Sequence, residues 1–341
     1  MRVKLEDVCE RGSSNLKQSD IIDATGDYPI YGASGYIGNV DFYHQDKPYV
    51  AVVKDGAGIG RTTLHPAKSS VIGTMQYLLP KENVLPEYLC YVVRYMHLEK
   101  YFTGATIPHI YFKDYKNEQF NLDSLERQAE IVDILGKCER VIVSREDELQ
   151  KLDELIKARF VELFGMPLDK AKANMKFTDC VEFNPKKSEV KDMQDLEVSF
   201  VPMECVGIDG SFTIRENGPV SNYYKGYTYF KDGDVLLAKI TPCFENGKAA
   251  IAEGCKNGIG FGTTEFHVAR PKKGVSNSYW IKYMLKNDSV HDLATINMTG
   301  SAGQKRIQTP FFDKLTIFCP SIELQNQFAE FVKQVDKSKF V

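Results

Sequence analysis

The chain has 341 residues, of which 43% are hydrophobic and 26% are charged, as is typical of a soluble globular protein with two domains. Its formal net charge of −3 excludes an overall basic field for nucleic acid, so any such contact must come from local patches. No apolar run approaches the roughly 18 residues of a membrane span, and the N-terminus lacks the apolar segment of a signal peptide.

The eight cysteines are scattered singly, without a C-x-x-C pair. This spacing favours neither a zinc site nor a disulfide framework. We therefore expect reduced thiols, a cytoplasmic location and no membrane partner.

The first distinctive segment is "VAVVKDGAGIGRTTLH" (residues 50–65), in which an apolar strand leads into a glycine cluster. A phosphate-binding P-loop requires G-x-x-x-x-G-K-[ST], but Gly56 and Gly60 are four residues apart and Arg61 stands at the lysine position. The dinucleotide pattern G-x-G-x-x-G fails because Thr63 occupies its last position. We expect instead a hairpin whose irregular loop uses glycines at positive φ.

Residues 124–165 carry the strongest periodic pattern in the chain. Leucine and isoleucine recur every seven residues at positions 135, 142, 149, 156 and 163, which predicts a helix with a coiled-coil seam. Ser124 is a suitable N-cap, and Gly165 is a suitable end. At about 1.5 Å per residue this helix would extend on the order of 60 Å, so we interpret it as a spacer.

The sequence on the two sides of this helix repeats. Residues 110–135 align without gaps on residues 307–332, which places Gln128 opposite Gln325. Upstream the order of matches is kept, since "VAVVKDG" meets "VLLAKITP" and "TGATIPHI" meets "TGSAGQKRI". We infer a duplicated unit, a mixed α/β domain followed by a helix, and we expect residues 235–252 to form a second hairpin.

No arrangement of catalytic residues is evident. The only Asn-Pro, in "FNPKKS", lacks the rest of the [ND]-P-P-[YF] motif of DNA amino-methyltransferases, and "GIGFG" (258–262) resembles a cofactor loop but leads into a strand. The six histidines lack the spacing of metal ligands, and neither a PD…ExK nor a G-x-S-x-G motif is present. We expect no catalytic activity, no metal and no cofactor.

Polar, basic and aromatic side chains in expected loops are the candidates for DNA contact, because Arg, Lys, Gln and Thr bond to phosphates and base edges. In the first half they are Lys54, Arg61, Thr106, His109, Tyr111 and Lys113. In the second half they are Lys239, Thr241, Lys248, Ser301, Gln304, Lys305 and Arg306. Because the two sets of loops share almost no side chains, we expect them to recognise different half-sites.

These segments resemble the specificity subunit of type I restriction-modification systems, over nearly the whole chain. The most specific element is the L/I-E-x-Q turn before each helix, at Leu125–Gln128 and Ile322–Gln325. The resemblance implies two target-recognition domains, each reading one half of a bipartite double-stranded DNA site. It also implies antiparallel helices that set the gap and dock methyltransferase subunits and, through them, restriction subunits. Methylation, cleavage and their cofactors would belong to those partners.

The expected fold class is mixed α+β, with two similar target-recognition domains at residues 1–123 and 166–320. A central spacer helix at 124–165 separates them, and a second helix follows at 321–341. In the family the second helix is usually about as long as the first, whereas here it is about half as long.

The shortened second helix leaves the end of the first without an evident partner. We expect six apolar side chains to be uncovered there: Leu149, Leu152, Leu155, Ile156, Phe160 and Leu163. Soluble monomers rarely expose so large an apolar face, so we predict an interface with a methyltransferase subunit or with a second copy of the chain. Two other interpretations stay open. In the first, the chain is a helical scaffold that dimerises without reading DNA. In the second, it is the recognition portion of a fused restriction-methyltransferase enzyme.

Overall fold

The computed structural model describes residues 1–22, 24–103, 108–301 and 303–339. The chain divides into two compact units, Met1–Arg145 and Glu146–Val341. Both combine helices with sheets, so the mixed α+β class is confirmed. The domain limits at residues 123, 165 and 320 stay a prediction.

The first unit is built from short strands and helices. Its strands are β1 (Arg2–Lys4), β2 (Cys9–Ser13), β3 (Tyr28–Gly32), β4 (Gly35–Val40), β5 (Tyr49–Val53), β6 (Thr62–His65), β7 (Ser70–Val71), β8 (Met75–Pro80) and β9 (Gln119–Asn121). Its helices are α1 (Leu5–Val8), α2 (Pro86–Tyr95), α3 (Phe112–Tyr115) and the start of α4 (Leu125–Phe164), with 3-10 turns at Gln18–Ile21 and Leu98–Tyr101.

The second unit contains the remaining elements. Its strands are β10 (Met175–Lys176), β11 (Val181–Phe183), β12 (Glu197–Val201), β13 (Glu216–Pro219), β14 (Thr228–Lys231), β15 (Val235–Ala238), β16 (Ala249–Ile251), β17 (Ile259–Gly262), β18 (Phe266–Pro271) and β19 (Thr316–Ile317). Its helices are α5 (Phe177–Cys180), α6 (Val220–Tyr223), α7 (Ser278–Leu285), α8 (Asp288–Ile296), α9 (Thr309–Lys314) and α10 (Ile322–Ser338), with 3-10 turns at Lys187–Val190, Met203–Cys205 and Lys256–Gly258.

The two units repeat one sheet topology. An antiparallel sheet of order β2-β8-β5-β6 in the first unit matches β11-β18-β15-β16 in the second, and the pair β1-β9 matches β10-β19. A further sheet in each unit contains one parallel pairing, β3 with β7 and β12 with β17. The duplication inferred from the sequence is therefore present in the strand order. Four of the five residues of "GIGFG" form the whole of strand β17, so the segment is a strand and not a loop.

The central strands β5 and β15 are buried on both faces. Successive side chains of a strand point to opposite faces, and accordingly Val50 and Val52 enter one apolar cluster while Ala51 and Val53 enter another. Both predicted hairpins are present, because β5 pairs with β6 and β15 pairs with β16. In the first hairpin, Gly56 and Gly60 have φ of 92° and 82°.

Helix α4 has 40 residues, in agreement with the predicted spacer helix. The Ser124 hydroxyl accepts a hydrogen bond from the amide of Arg127 at 3.3 Å, as an N-cap does. At the other end Gly165 has φ of 73° and its amide donates to the carbonyl of Val161 at 2.8 Å. Both ends predicted from the sequence are confirmed.

Gln128, in the first turn of α4, is fully buried. Its Oε1 accepts a hydrogen bond from the amide of Leu85 at 2.9 Å, and its Nε2 donates to the carbonyls of Asn83 and Asp123 at 3.0 and 2.9 Å. Leu85 is the residue before α2. The side chain therefore fixes the start of α4 to the start of α2.

Gln325, in the first turn of α10, makes the same set of contacts in the second unit. Its Oε1 accepts from the amide of Asn277 at 3.0 Å, and its Nε2 donates to the carbonyls of Val275 and Pro320 at 2.9 Å each. Asn277 is the N-cap of α7. The glutamine of the L/I-E-x-Q turn thus has one structural role in both units.

Within the described residues, no helix combines the length and the apolar character that crossing a membrane requires.

Candidate nucleic-acid interface

Loop L1 is defined as residues 103–109, of which 104–107 lie outside the described residues. Thr103 and His109 close it by exchanging two backbone hydrogen bonds of 2.9 and 2.8 Å. Two more backbone hydrogen bonds attach it beyond the end of β5: Gly56 N–H to the Pro108 carbonyl and Ile110 N–H to the Lys54 carbonyl, each 3.0 Å. L1 is therefore held against the glycine hairpin loop by main-chain atoms.

Loop L2 is defined as residues 299–306, of which 302 lies outside the described residues. Thr299 and Arg306 close it through two backbone hydrogen bonds of 3.0 and 2.8 Å. Two more attach it beyond the end of β15: Thr241 N–H to the Lys305 carbonyl and Ile307 N–H to the Lys239 carbonyl, each 2.9 Å. The attachment of L2 therefore repeats that of L1, bond for bond.

The last side chain of each loop is paired with a carboxylate. His109 Nδ1 lies 2.5 Å from Asp55 Oδ1, and Lys54 Nζ lies 2.9 Å from the other oxygen of the same carboxylate. In the second unit Arg306 binds Glu265 with Nε 3.0 Å from Oε2 and Nη2 2.9 Å from Oε1. The Arg306 guanidinium lowers the pKa of the Glu265 carboxyl below its ordinary value.

In these pairs the side chains of His109 and Arg306 contact a carboxylate of their own unit. A guanidinium held by both carboxylate oxygens has already used its planar pairing geometry, so reading a base would require breaking a charge-assisted pair. Direct contact of Arg306 with DNA stays a prediction, and its ion pair with Glu265 is a contact that the sequence did not indicate.

Three other candidates also have protein partners. Arg61 Nη1 donates to the carbonyl of Ala33 at 2.9 Å, Lys248 Nζ donates to the carbonyl of Met203 at 3.1 Å, and the Thr241 hydroxyl donates to Glu245 at 3.2 Å. The bonds of Arg61 and Lys248 tie a loop to another segment of the same unit, whereas the bond of Thr241 lies within one loop.

The remaining candidates are mostly exposed. Tyr111, two residues beyond the end of L1, is half exposed, and Lys113 Nζ lies 5.2 Å from the centre of its ring. Ser301, Gln304 and Lys305 at the tip of L2 are all exposed. Lys239 is half-buried, and Thr106 lies outside the described residues. The exposed side chains that follow or form the loops are thus the ones free to meet a ligand.

The interface predicted at the end of α4 is wrong for its central residues. Ile156 and Phe160 are 0% and 2% exposed, because both belong to the core of the second unit. The Phe160 ring packs edge-on against Phe328 of α10, with 5.5 Å between centroids. Leu152 and Leu163 pack partly against the same core.

The position of α10 explains this burial. Phe328 near its start also contacts Phe164, whereas Lys339 at its end lies 2.7 Å from Asp153, so the two helices run antiparallel. The short helix therefore covers the very end of α4 that we had expected to be open. Of the six predicted interface residues, Leu155 remains 47% exposed and Leu149 is half-buried.

The uncovered apolar face lies farther towards the start of α4. Ile134, Val141 and Ile142 are 54%, 69% and 56% exposed, and Leu135 is 37% exposed. Residues seven apart lie on one side of a helix, so these four side chains share one face, defined here as the open face of α4.

Several residues of the site were missed from the sequence. Asp55 lies 54 residues from His109, and Glu265 lies 41 residues from Arg306, and no spacing rule connects either pair. In contrast, the role of the two glutamines had a signal, since both recur in the repeated L/I-E-x-Q turn. Among the described residues, no group of three His, Cys, Asp or Glu side chains is placed to hold a metal ion.

Comparison with known proteins places this architecture. The model of the type I restriction modification DNA specificity domain matches residues 1–154 and 173–340. The specificity subunits of the type I restriction enzymes EcoEI and EcoAI of Escherichia coli are 46% identical over 151 residues and 45% identical over 154 residues. These matches cover 43% and 44% of this chain and 25% of each relative, so the chain spans about a quarter of their length.

A solved structure shares the fold. The crystal structure of the type I restriction-modification S subunit from M. genitalium superimposes with a TM-score of 0.60 at 14% identity. The superposition covers 99% of this chain and 90% of that one. At this identity the similarity shows the common fold alone.

Proposed function

The chain belongs to the family of type I restriction modification DNA specificity domains, and from this premise we propose that it is a DNA specificity subunit without catalytic activity. Each of its two units reads one half of a bipartite double-stranded DNA site. Methylation and cleavage reside in partner subunits, and the protein works in the cytoplasm beside the DNA that it reads. The recognition domains correspond to residues 1–123 and 166–320.

The observation that carries this proposal is the repeated attachment of L1 and L2. Four equivalent backbone hydrogen bonds hold each loop on an equivalent sheet, yet the side chains differ between the loops. Base-edge recognition depends on side-chain identity, whereas the scaffold that presents the side chains does not. One scaffold with two sets of side chains fits two different half-sites.

The proposed readers are the exposed residues Tyr111 and Lys113 in the first unit and Ser301, Gln304 and Lys305 in the second. Gln304 is the strongest single candidate, because a glutamine amide pairs with adenine through one donor and one acceptor. Arg306 and His109 serve to position the loops. Lys54, Lys239, Arg61, Thr241 and Lys248 support the same segments.

The proposed docking site for a methyltransferase subunit is the open face of α4. Its four aliphatic side chains form one apolar strip, and the heptad spacing suits a helix of a partner. Restriction subunits would join through the methyltransferase, as the family resemblance implies. Self-association through the same strip is the competing outcome.

Recognition is tested with the purified chain and its methyltransferase by selecting bound sequences from random DNA. We expect a bipartite motif for the native chain, and relaxed specificity in one half only for Gln304→Ala, at a cost of roughly 1–3 kcal/mol. Gln334→Ala, at an exposed position of α10, is the matched control. Equal weakening of both halves by Gln304→Ala would contradict a base contact by L2.

The absence of catalysis is tested separately by incubating the chain alone with S-adenosylmethionine and DNA. Methyl transfer without a partner would refute the proposal and support a fused enzyme.

Docking is tested by replacing Val141 and Ile142 with Glu and measuring the mass of the complex by light scattering. We expect loss of the methyltransferase, whereas Ile296→Glu, which alters an 82% exposed side chain elsewhere, should leave the complex intact.

A further inference from the structure

A groove of about 980 Å³ in the second unit adjoins L2. It is lined by residues of the segment after α4, of α8 and of α9, and two of its lining residues connect it to the loop. Thr299 is the first residue of L2, and Gln308 lies two residues beyond its end. A ligand that touches L2 therefore meets the groove next.

The charged side chains in the wall of this groove are all cationic. Lys170 and Lys314 line it, and among the described residues no carboxylate does. Both lysines are exposed, and neither side chain has a hydrogen bond or an ion pair to a described residue. This distinguishes them from Arg306, whose charge is already matched by Glu265.

The uncharged part of the wall suits the sugar and phosphate edge of a nucleic acid. Gln308 is exposed and makes no side-chain hydrogen bond to the described chain, so its amide is available as a donor. Leu293, Phe311 and Leu315 supply an apolar lining beneath the polar rim. Phosphate contacts by lysine and amide side chains, with apolar contact to the sugars, are the usual means of positioning a protein on DNA.

We propose that this groove binds the DNA backbone next to the bases read by L2, with Lys170 and Lys314 on phosphates and Gln308 donating to the backbone. The proposal rests on the proposed function, because it takes L2 to lie against DNA. It commits to DNA because the groove continues from L2 and presents two unmatched cations without a carboxylate. A partner protein would meet the same cations only through an acidic surface.

The repeat places a different residue at the corresponding position of the first unit. Gln308 aligns with Tyr111, which is also exposed and lies two residues beyond the end of L1. The residue at this position is therefore exposed in both units but differs in chemistry. Backbone contact in the second unit is assigned to the groove and does not require an equivalent groove in the first.

The test is the salt dependence of DNA binding by the chain in complex with its methyltransferase. Each phosphate contact adds about 0.9 to the slope of log K against log salt concentration. For Lys170→Ala/Lys314→Ala we expect the magnitude of this negative slope to decrease by about 2. When salt is raised from about 50 to about 200 mM, the fold-loss of affinity should therefore be roughly tenfold smaller for the variant than for the native chain. The recognised motif should be unchanged, and Lys170→Arg/Lys314→Arg should restore the native slope.

The matched control is Lys225→Ala/Lys256→Ala, which removes two exposed lysines of the second unit outside the groove. An unchanged slope in the groove variant, or an equal fall in the control, overturns the groove proposal. Weaker binding of the methyltransferase with an unchanged slope also overturns it and assigns the groove to a protein. If the native chain binds DNA without a bipartite motif, the proposed function fails, while the slope still tests the groove.

Discussion

Replacing Gln325 with methionine is expected to destabilise the second unit strongly. Methionine has nearly the same length, so the packing volume is kept while the amide is lost. The carbonyls of Val275 and Pro320 keep only the Cys319 thiol, at 3.7 and 3.8 Å, and each lost amide bond costs roughly 1 kcal/mol. The half-buried amide of Asn277 loses its partner, and an unpaired group of this kind costs about 1–3 kcal/mol. The expected loss is therefore about 3–5 kcal/mol.

Hydrogen exchange followed by mass spectrometry locates the effect. The amides of α7 should lose protection first, because Gln325 binds the N-cap of that helix. Gln128→Met should do the same to α2 in the first unit, through the amide of Leu85. Gln334→Met, at an exposed position of α10, serves as the control.

A cost of less than about 1 kcal/mol for Gln325→Met, or an equal fall of protection in both units, would contradict this role of the glutamine. Such a result would mean that the glutamine bonds are replaced by water or by a shift of the first turn of α10. The motif would then require another explanation, for example contact with a partner chain.

Three further results are expected. Phe328→Ala should lower the free energy of unfolding in urea by about 3–5 kcal/mol, because the ring is fully buried between two phenylalanines of α4. A loss below about 1 kcal/mol would contradict the packing of α10 on α4. Burial lowers the pKa of His65 and of His267 to about 4, so both imidazoles stay neutral in the folded state. Their contribution to the free energy of unfolding is fully present above about pH 6.5 and should be lost as the pH falls towards 4, by up to about 3 kcal/mol each. Replacement of either histidine by Gln should flatten the pH dependence of stability. Asp234→Asn should lower the free energy of unfolding, measured by calorimetry, by about 3–5 kcal/mol. The reason is that its carboxylate is only 2% exposed and binds Arg270 through both oxygens. An unchanged melting temperature would show that water replaces the ion pair.

The sequence was sufficient where local chemistry decides the structure. The heptad pattern, Ser124 and Gly165 gave both ends of α4, because capping groups act within one turn of the helix. The apolar run at residues 50–53 and the failed P-loop pattern predicted the hairpin that follows. Both are short-range effects, which one segment of sequence contains in full.

The part of α4 on which α10 packs could not be predicted from the sequence in this way. The sequence indicated that α10 is short, but not which part of α4 it packs on. Seventeen residues at about 1.5 Å each give a helix of roughly 25 Å. Since α10 starts beside Phe164 and runs back to Asp153, the uncovered part is the earlier one, around Val141. Tertiary packing decided the question.

The sequence also could not show which basic side chains are paired with carboxylates and which remain unpaired. Arg306 and Lys305 are adjacent and look equally suited to DNA, yet only Arg306 meets a carboxylate. Its partner, Glu265, precedes strand β18, some 40 residues earlier. Local sequence identifies donors, whereas the fold decides which of them remain free.

The attachment of L1 and L2 by main-chain atoms has a consequence for how such a protein changes over time. A backbone hydrogen bond accepts any residue except proline at the donor position, so substitutions at the tips of the loops leave the anchorage untouched. Mutations that alter what a loop displays are then separated from mutations that threaten stability. A lineage can sample new targets by point changes or by exchanging short segments. A protein engineer can follow the same route by transplanting the residues between Thr299 and Arg306 alone.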